Sequence, residues 1–384
     1  MLSPAQTFAL LDELGVRFFS GVPDSLLKDF CAYVSDHVEE ERHVIAANEG
    51  AAVALAAGYH LSTGGIGLVY MQNSGLGNAV NPLLSLADAA VYAIPMLLLI
   101  GWRGEPGRHD EPQHAKQGVV TQPLLAAMGI ESAVLPGEPA EAEKVIRAAV
   151  GAARQASVPC ALVVRAGSFA SYKLERSSAN PYAMSREEAV KLVASALGPE
   201  VAIVSTTGMT SRELFEYRAA SGDDPGRDFL TVGSMGHASQ IALGIALAQA
   251  ARRVCCLDGD AAAIMHMGAL ALIGSRRPPN LLHVVLNNAA HDSVGGQPTA
   301  GYAIDLPAVA RACGYARAER VDSPVALERA IADRGAGPAL IEVRVHRGAR
   351  ADLGRPTSSP QDNKRSFMQR LAEAVGGLKE TRGR

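Results

Sequence analysis

The sequence of 384 residues is long enough for two or three domains of ordinary size. Hydrophobic residues make up 48% and charged residues 20%, as in folded globular chains, so extended disorder is excluded for most of the sequence. The formal net charge is −3, whereas a protein whose main partner is nucleic acid usually has a basic excess. Nucleic acid is therefore not an expected partner.

Targeting signals and metal-binding cysteine patterns are not apparent in the sequence. The first residues lack a basic region followed by an apolar one, so no secretory signal is expected. The most apolar stretch, residues 90–102, is short and contains Pro95, which indicates a buried strand and its approach rather than a membrane span. The five cysteines are irregularly spaced and predict no zinc site. We expect a reduced, cytoplasmic protein.

The first half alternates predicted helices and strands. Ser3, Pro4 and Gln6 have the pattern of a capped helix start, with serine at the N-cap and proline at the first helical position. A helix of small residues is predicted over 51–60, after a turn at residues 48–50. Short apolar runs predict the strands, which we place at 16–22, 43–46, 67–71 and 96–100.

The second half repeats this plan. Ser185 with Glu188 and Thr210 with Glu213 both have the spacing of a capping box. The predicted strands are 201–205, 229–232, 254–257 and 281–286. Apolar strands that alternate with helices indicate parallel sheets covered on both faces. The predicted fold class is α/β, with two similar open parallel-sheet domains.

The domain boundaries follow from the repeat and from one polar segment. We predict a first domain at residues 1–168, a linker at 169–184, a second domain at 185–348 and a C-terminal tail at 349–384. The tail is expected to contain an amphipathic helix over 364–375.

Polar residues follow two consecutive predicted strands of the second half. Asp260 comes after strand 254–257, and Asn288 comes after strand 281–286. The carboxyl ends of neighbouring parallel strands share one crevice, where ligands bind. Carboxylate, amide and carbonyl oxygens suit Mg²⁺, which commonly takes a phosphate as a further ligand. Taken singly, Asp260 is also an ordinary helix N-cap and Asn288 an ordinary turn residue, but together they indicate a metal site.

Small residues surround Asp260, and they would let the backbone approach a diphosphate at a helix N-terminus. These residues are Gly259, Ala261 and Ala262.

This pattern resembles the motif of thiamine-diphosphate enzymes, in which Gly-Asp-Gly is followed at a distance by Asn-Asn. The third glycine is Ala261 in this chain. The resemblance covers nearly the whole sequence, because these enzymes also contain two similar α/β domains. It implies a pyrimidine-binding domain followed by a diphosphate-binding domain, without a middle domain, and bound thiamine diphosphate and Mg²⁺. The metal ligands that it implies are Asp260, Asn288 and Ala290.

The resemblance also implies an assembly. In this family the cofactor lies between the pyrimidine domain of one subunit and the diphosphate domain of another. A homodimer or a dimer of dimers is therefore expected, with the site at the subunit interface. The expected partner is a small-molecule 2-keto acid, and neither nucleic acid nor a membrane is expected.

Glu49 lies between predicted strand 43–46 and the helix over 51–60. The resemblance implies that its carboxyl group contacts the pyrimidine ring and exchanges a proton with it. From the residues alone, the alternative is that Glu49 is only an acidic first-turn residue favoured by the helix dipole. Further implied contacts include the carbonyl of Gly233 and the side chain of Met235, which would support the bent cofactor, although Met235 also fits a core position. The other implied contacts are Thr207, Gly208 and Ser234.

Longer strings narrow the resemblance within the family. Residues 21–27, 72–78, 287–299 and 352–357 resemble phosphonopyruvate decarboxylases, and sulfopyruvate decarboxylases share much of the same pattern. The implied reaction is non-oxidative decarboxylation of 3-phosphonopyruvate to phosphonoacetaldehyde and CO₂, a step of phosphonate biosynthesis. The alternative is the same reaction on sulfopyruvate, which gives sulfoacetaldehyde.

Candidate acids and substrate ligands lie mainly in the loop after strand 96–100. His114 is a candidate to donate a proton or orient the substrate carboxylate, and Asp24 is a candidate proton relay. Each also has a plain structural interpretation, as an exposed loop histidine and as a helix N-cap. Cationic groups would pair with an anionic head group. The candidate substrate ligands are Ser25, Gln72, Asn73, Arg103, Arg108 and Lys116, and Arg355 of the tail would close over them.

Two functions of other classes are weaker. A dinucleotide-binding dehydrogenase needs Gly-x-Gly-x-x-Gly, and the run that starts at Gly75 lacks the third glycine. A non-catalytic partner subunit is expected to lack Glu49 or Asp260, and both are present.

Overall fold

The computed structural model describes residues 1–176, 180–333, 335 and 337–380, with side chains described as far as residue 373. The chain divides into two units, Met1–Ser178 with Ser293–Pro298, and Ala179–Asp292 with Thr299–Arg384. Residues 177–179 of the predicted linker and 381–384 of the predicted tail lie outside the described residues.

The first unit is built on a parallel sheet of six strands in the order β2-β1-β3-β4-β6-β5. The strands are β1 (Val16–Gly21), β2 (His43–Ile45), β3 (Ile66–Gln72), β4 (Met96–Gly101), β5 (Glu131–Val134) and β6 (Pro159–Val164). The helices are α1 (Pro4–Glu13), α2 (Lys28–His37), α3 (Glu49–Thr63), α4 (Leu76–Pro82), α5 (Pro112–Ala127) and α6 (Pro139–Ala156).

The second unit is also built on a six-stranded parallel sheet, in the order β11-β12-β10-β9-β7-β8. The strands are β7 (Ala202–Ser205), β8 (Phe229–Leu230), β9 (Val254–Gly259), β10 (Leu281–Asn287), β11 (Arg317–Val321) and β12 (Ala339–Arg344). The helices are α7 (Arg186–Ala196), α8 (Met209–Ala220), α9 (Ala238–Ala248), α10 (Asp260–Met265), α11 (Gly268–Arg276), α12 (Leu306–Cys313), α13 (Pro324–Ala332) and α14 (Pro360–Glu380).

The two sheets have the same topology. If the strands of each unit are numbered from one, the first sheet has the order 2-1-3-4-6-5. The second sheet has the same order when it is read from its other edge. The chain therefore reverses direction across the sheet between β1 and β3 in one unit and between β7 and β9 in the other, which is where open α/β sheets bind ligands. The predicted fold class, two similar parallel-sheet domains without a middle domain, is confirmed.

The central strands are apolar throughout because both faces of each sheet are covered. In β4, Leu97 and Leu99 pack into the core on one face, while Leu98 and Ile100 pack into the core on the other. β10 has the same alternation in the second unit. This burial explains why residues 94–102 are so apolar, whereas Val91 and Tyr92 just before them are exposed. None of the helices in the described ranges is long and apolar enough to cross a membrane.

The predicted helix starts have different outcomes. Ser3 caps α1 by accepting a hydrogen bond from the Gln6 amide, and Ser185 forms a reciprocal capping box with Glu188, so both predictions are confirmed. The capping box predicted at Thr210 is wrong, because α8 begins at Met209 without a side-chain cap. The carboxylate of Glu213, the expected box partner, instead forms a buried ion pair within the second unit.

Candidate active site

The strand ends of β9 and β10 bring Asp260 and Asn288 together. Gly259 at the end of β9 pairs with Leu286 near the end of β10, so Asp260 and Asn288 follow these paired residues by one and two positions at the same sheet edge. The backbone N–H of Asn288 donates a hydrogen bond to the Asp260 carboxylate. The predicted proximity of the two polar strand ends is therefore present in the second unit.

Asp260 is a buried carboxylate at the N-terminus of α10. It is 3% exposed, and the hydroxyl group of Thr299 donates a hydrogen bond to its Oδ2. Burial raises the pKa of Asp260 to about 6, while hydrogen bonds from Thr299 and backbone amides oppose the rise. No ion pair to Asp260 is found within the described residues. A buried carboxylate without a cationic partner is suited to holding a metal ion.

Asn288 presents an oriented side-chain amide at the same edge. Its Oδ1 accepts a hydrogen bond from the Ala290 amide at 3.0 Å, and its Nδ2 donates to Asp292 Oδ2 at 2.6 Å. Asn288 and Ala290 are both buried. Between them Ala289 has φ of 52°, a left-handed conformation that is costly for a residue with a side chain and occurs frequently at functional sites.

Two small residues shape the space around Asp260. A Cβ atom at Gly301 would lie 2.5 Å from Asp260 Oδ2, so this position tolerates no side chain. Ala261, which replaces the third glycine of the motif, lies inside α10 and is not among the residues with positive φ. Alanine therefore fits there, because a helical residue does not need the conformational freedom of glycine. Gly259 and Ala262 flank Asp260 as predicted from the chain order, at the end of β9 and in α10.

The other predicted cofactor contacts follow β7 and β8, which are paired neighbours. Thr207 Oγ1 accepts a hydrogen bond from the Gly233 amide at 2.9 Å, so the two loops are joined. Gly208 and Gly233 both have positive φ, as does Ser234, at 49°. Met235 is partly buried beside them. The structure thus places these residues at the carboxyl edge of the second sheet.

Glu49 is the first residue of α3, in the first unit. Asn48 caps the helix by accepting a hydrogen bond from Ala51, so the turn expected at residues 48–50 is the first turn of the helix. The Glu49 side chain is 5% exposed, and its Oε2 accepts a hydrogen bond from Asn78 Nδ2 at 2.7 Å. A Cβ atom at Gly75 would lie 2.3 Å from Glu49 Oε1, so the glycine makes room for the carboxylate.

Asp24 follows β1 and is fully buried. Its Oδ2 accepts a hydrogen bond from the Leu26 amide at 2.9 Å, whereas its Oδ1 has no hydrogen-bond partner among the described residues. Burial raises the pKa of Asp24 to about 6, and the nearby Arg103 opposes the rise. A Cβ atom at Gly101, at the end of β4, would lie 2.0 Å from Asp24 Oδ2. Asp24 therefore lies at the strand ends of the first sheet and can hold a proton near neutral pH.

Arg103 and His114 are joined by an acidic residue that the sequence analysis did not select. Arg103 Nε donates to Asp110 Oδ2 at 2.8 Å, and the guanidinium also contacts Oδ1 of the same carboxylate. His114 Nδ1 lies 2.9 Å from Asp110 Oδ1. Burial alone would raise the pKa of Asp110, but hydrogen bonds from Arg103 and His114 hold it well below its usual value.

These contacts determine the state of His114. Because Asp110 is ionised and can only accept hydrogen bonds, His114 Nδ1 carries the hydrogen of this contact. Burial lowers the pKa of His114 despite the hydrogen bond to Asp110. The ring is therefore neutral at pH 7, with a lone pair on Nε2.

The predicted substrate ligands differ in position and exposure. Arg103 NH1 donates to Ser25 Oγ at 2.8 Å, and the buried Asn73 bonds the backbone of Arg103 on both sides, which joins three of the candidates. Gln72, at the end of β3, donates to Ser74. The remaining candidates are exposed, namely Arg108 in an ion pair with Glu105, Lys116 on α5, and Arg355 in the tail.

Asp110, Asn78 and Asp292 are the site residues that the sequence analysis missed. Each holds a predicted residue, namely His114, Glu49 and Asn288 respectively. Two of these contacts could be inferred from sequence spacing, because Asp110 and Asp292 each lie four residues from their partner in the chain. Asn78 has no such signal, since it lies on a different helix from Glu49.

Family models match most of both units. The chain matches the model "Thiamine pyrophosphate enzyme, N-terminal TPP binding domain" at residues 5–125 and "Thiamine pyrophosphate enzyme, C-terminal TPP binding domain" at residues 182–343. The first match contains Glu49, Asp24 and His114, and the second contains Asp260 and Asn288. Residues of both units thus lie within thiamine-diphosphate-binding domains.

Curated relatives extend over almost the entire chain. A phosphonopyruvate decarboxylase of Streptomyces hygroscopicus is 37% identical over 97% of this chain and 95% of its own length. One from Streptomyces viridochromogenes is 37% identical, with 96% and 94% covered. A sulfopyruvate decarboxylase of Methanosarcina acetivorans is 29% identical, with 82% and 83% covered. The chain therefore belongs to the phosphonopyruvate decarboxylase family of thiamine-diphosphate-dependent enzymes.

Proposed function

We propose that this thiamine-diphosphate-dependent decarboxylase acts on 3-phosphonopyruvate, with Mg²⁺ as its metal, to give phosphonoacetaldehyde and CO₂. The observation that carries the proposal is the similarity to phosphonopyruvate decarboxylases, at 37% identity over almost the whole chain. The buried carboxylates Glu49 and Asp24 in the first unit and Asp260 in the second are consistent with it. Five unpaired cysteine thiols support the expected cytoplasmic location.

The second unit has the donor set that Mg²⁺ and a diphosphate require. Asp260 offers a buried carboxylate without an ionic partner in the described residues, and Asn288 and the carbonyl of Ala290 offer neutral oxygens beside it. These are hard ligands, and Mg²⁺ commonly completes its shell with phosphate oxygens. The small residues around Asp260, namely Gly259, Ala261 and Ala262, would let the backbone approach the diphosphate. We assign metal binding to Asp260, Asn288 and Ala290.

The first unit supplies the groups that handle protons. When bound, thiamine diphosphate supplies the carbon nucleophile and the electron sink for decarboxylation. Glu49 is assigned the pyrimidine contact, with Asn78 fixing one carboxylate oxygen and leaving the other for the ring. Asp24 has a pKa of about 6, and its Oδ1 has no hydrogen-bond partner in the described part of the chain, so it is suited to donate a proton to the substrate. His114 is suited to accept one at Nε2, because its ring is neutral.

The charge argument for a phosphonate changes once ion pairs are considered. The sequence suggested three loop cations for the anionic head group, but Arg103 is paired with Asp110 and Arg108 with Glu105. Within the described residues, bonds to Asp110 and Ser25 use three of the five N–H groups of Arg103, which leaves two for a ligand. The proposal of a phosphonate rather than a sulfonate substrate therefore depends more on the similarity to phosphonopyruvate decarboxylases than on unpaired cations in this loop.

Substrate selectivity tests the proposal directly. We expect kcat/KM for phosphonopyruvate to exceed the value for sulfopyruvate, and pyruvate to be a poor substrate because it lacks the anionic head group. The measurement compares all three 2-keto acids on one preparation with thiamine diphosphate and Mg²⁺. A sulfopyruvate value equal to or above the phosphonopyruvate value would show that the chain is a sulfopyruvate decarboxylase instead.

We further propose a homodimer or a dimer of dimers. In the first unit, α3 exposes Leu55 and Leu61, the latter at 73% exposure. In the second unit, Leu247 on α9 and Leu272 on α11 are each more than half exposed. These exposed leucines are available for burial against a second copy of the chain. The resemblance to thiamine-diphosphate enzymes implies an active site that such a second copy completes.

Subunit complementation tests the shared site. If Glu49 of one subunit acts with Asp260 of another, mixed dimers of Glu49→Gln and Asp260→Ala contain one intact site. Each mixed dimer should have up to about half of the wild-type activity. After random subunit exchange, a mixture of equal amounts of the two inactive variants should therefore recover up to about a quarter of it. Exchange is verified with differently tagged chains. A mixture that exchanges but stays inactive would place both residues in one chain's site.

A further inference from the structure

Asp292 lies behind the candidate metal ligand Asn288, at the edge of the second sheet. A single oxygen of its carboxylate, Oδ2, accepts three hydrogen bonds: from Asn288 Nδ2 at 2.6 Å, from Arg186 NH1 at 3.1 Å and from the Gly348 amide at 2.9 Å. Its side chain is 11% exposed. The carboxylate is thus held in one place by charge and by backbone.

Arg186 is in turn fixed from the other side. Its Nε and NH2 donate to the two oxygens of Glu213 at 3.0 and 2.9 Å, a bidentate pair with both side chains buried. Arg186 therefore bridges two acids, of which one faces Asn288 and the other packs in the interior. A buried bidentate arginine pair is rigid, because loss of either partner leaves an unpaired buried charge.

The orientation of the Asn288 amide depends on this chain of contacts. Oδ1 accepts from the Ala290 amide, and Nδ2 donates to Asp292. A flipped amide would direct Nδ2 at the Ala290 N–H and Oδ1 at a carboxylate, and both contacts would be repulsive. The observed orientation leaves a second lone pair of Oδ1 for a metal, whereas the flipped one would present N–H groups that cannot bind a cation.

We propose that Asp292, held by Arg186 and Glu213, is a positioning residue that keeps the oxygen of Asn288 directed at the metal. The inference rests on the proposed function, because it takes Asn288 as a ligand. Residues that orient metal ligands typically contribute about 10- to 100-fold to metal affinity. Since the Ala290 amide supplies half of the orientation here, we expect the lower end of that range.

The test measures Mn²⁺ binding, by the electron paramagnetic resonance signal of free Mn²⁺ in the presence of thiamine diphosphate. Asp292→Ala is expected to weaken Mn²⁺ binding about 10-fold. Asp292→Asn, which can keep an oxygen acceptor in the same place, should stay close to wild type. Thermal unfolding of each metal-free variant shows whether it is folded, and Asp292→Ser replaces the alanine variant if that one is not.

A second pair of variants tests whether Asp292 orients the Asn288 amide or only supports the surrounding structure. In Asn288→Asp the ligand is symmetric, so nothing needs orienting, and Asp292 becomes a repulsive neighbour. Adding Asp292→Ala to Asn288→Asp is therefore expected to strengthen Mn²⁺ binding, the opposite of its effect beside asparagine. An equal loss in both backgrounds, or unchanged binding by Asp292→Ala alone, would overturn the inference. A wild-type chain that binds no Mn²⁺ would overturn the proposed function, and this inference with it.

Discussion

Replacing Asp260 by alanine is expected to abolish the Mg²⁺-dependent binding of thiamine diphosphate. The substitution removes a hard oxygen ligand from a buried position and leaves Asn288 and the Ala290 carbonyl as neutral donors. Equilibrium dialysis with thiamine diphosphate, with and without Mg²⁺, measures the effect. Glu328→Ala is a matched control, because it removes an exposed carboxylate elsewhere in the second unit. Metal-dependent affinity that survives in Asp260→Ala would remove Asp260 from the metal site.

The metal-free chain offers a second readout for Asp260. Burial raises its pKa from 3.8 to about 6, so the folded state favours the protonated form. The stability that this group contributes is present below pH 3.8 and is lost as the pH rises through about 6. Asp260→Asn keeps the size and a hydrogen-bond acceptor but cannot ionise. At pH 7 this variant should therefore unfold at the same temperature as the metal-free wild type or higher, while failing to bind metal.

Much of the fold was predictable because the two halves carry the same pattern. Apolar strands alternate with helices in each half, and burial on both sheet faces makes the central strands continuous apolar runs, as in β4 and β10. The juxtaposition of Asp260 and Asn288 followed from parallel strands alone, since the carboxyl ends of neighbouring strands meet at one edge. Such predictions need only the order of strands and helices and the parallel direction of the strands, and the pattern of apolar residues indicates both.

Residues that hold other residues were not predictable in the same way. Asn78 meets Glu49 from another helix, and the local pattern gives no sign of that contact. The failed capping box at Thr210 has a related cause: Glu213 forms a buried pair with Arg186, and this tertiary contact outweighs a local cap. The pairing of Arg103 with Asp110 likewise changed the charge of a loop that appeared cationic in the sequence. Side-chain pairing in three dimensions is the information that the pattern lacks.

Glu49→Gln is the second substitution for which we expect a large effect. Glutamine keeps the size of the side chain above Gly75, so the pocket should remain formed. Asn78 Nδ2 will donate to the amide oxygen of the glutamine, as it does to the carboxylate now. The NH2 group then takes the position of the free carboxylate oxygen. A donor that cannot exchange a proton would thus replace an acid–base group at the pyrimidine contact.

We therefore expect Glu49→Gln to bind thiamine diphosphate but to lose about 10²-fold or more in kcat, the usual scale for a positioned proton-transfer group. Two measurements separate binding from proton transfer: equilibrium dialysis for the cofactor, and hydrogen–deuterium exchange at its C2 position. Slow exchange with retained binding is the expected result. The matched control is Glu39→Gln, an exposed glutamate of the same unit. Wild-type exchange in Glu49→Gln would show that this carboxylate is not the group that moves the proton, because the substitution leaves its size and its hydrogen bond to Asn78 in place.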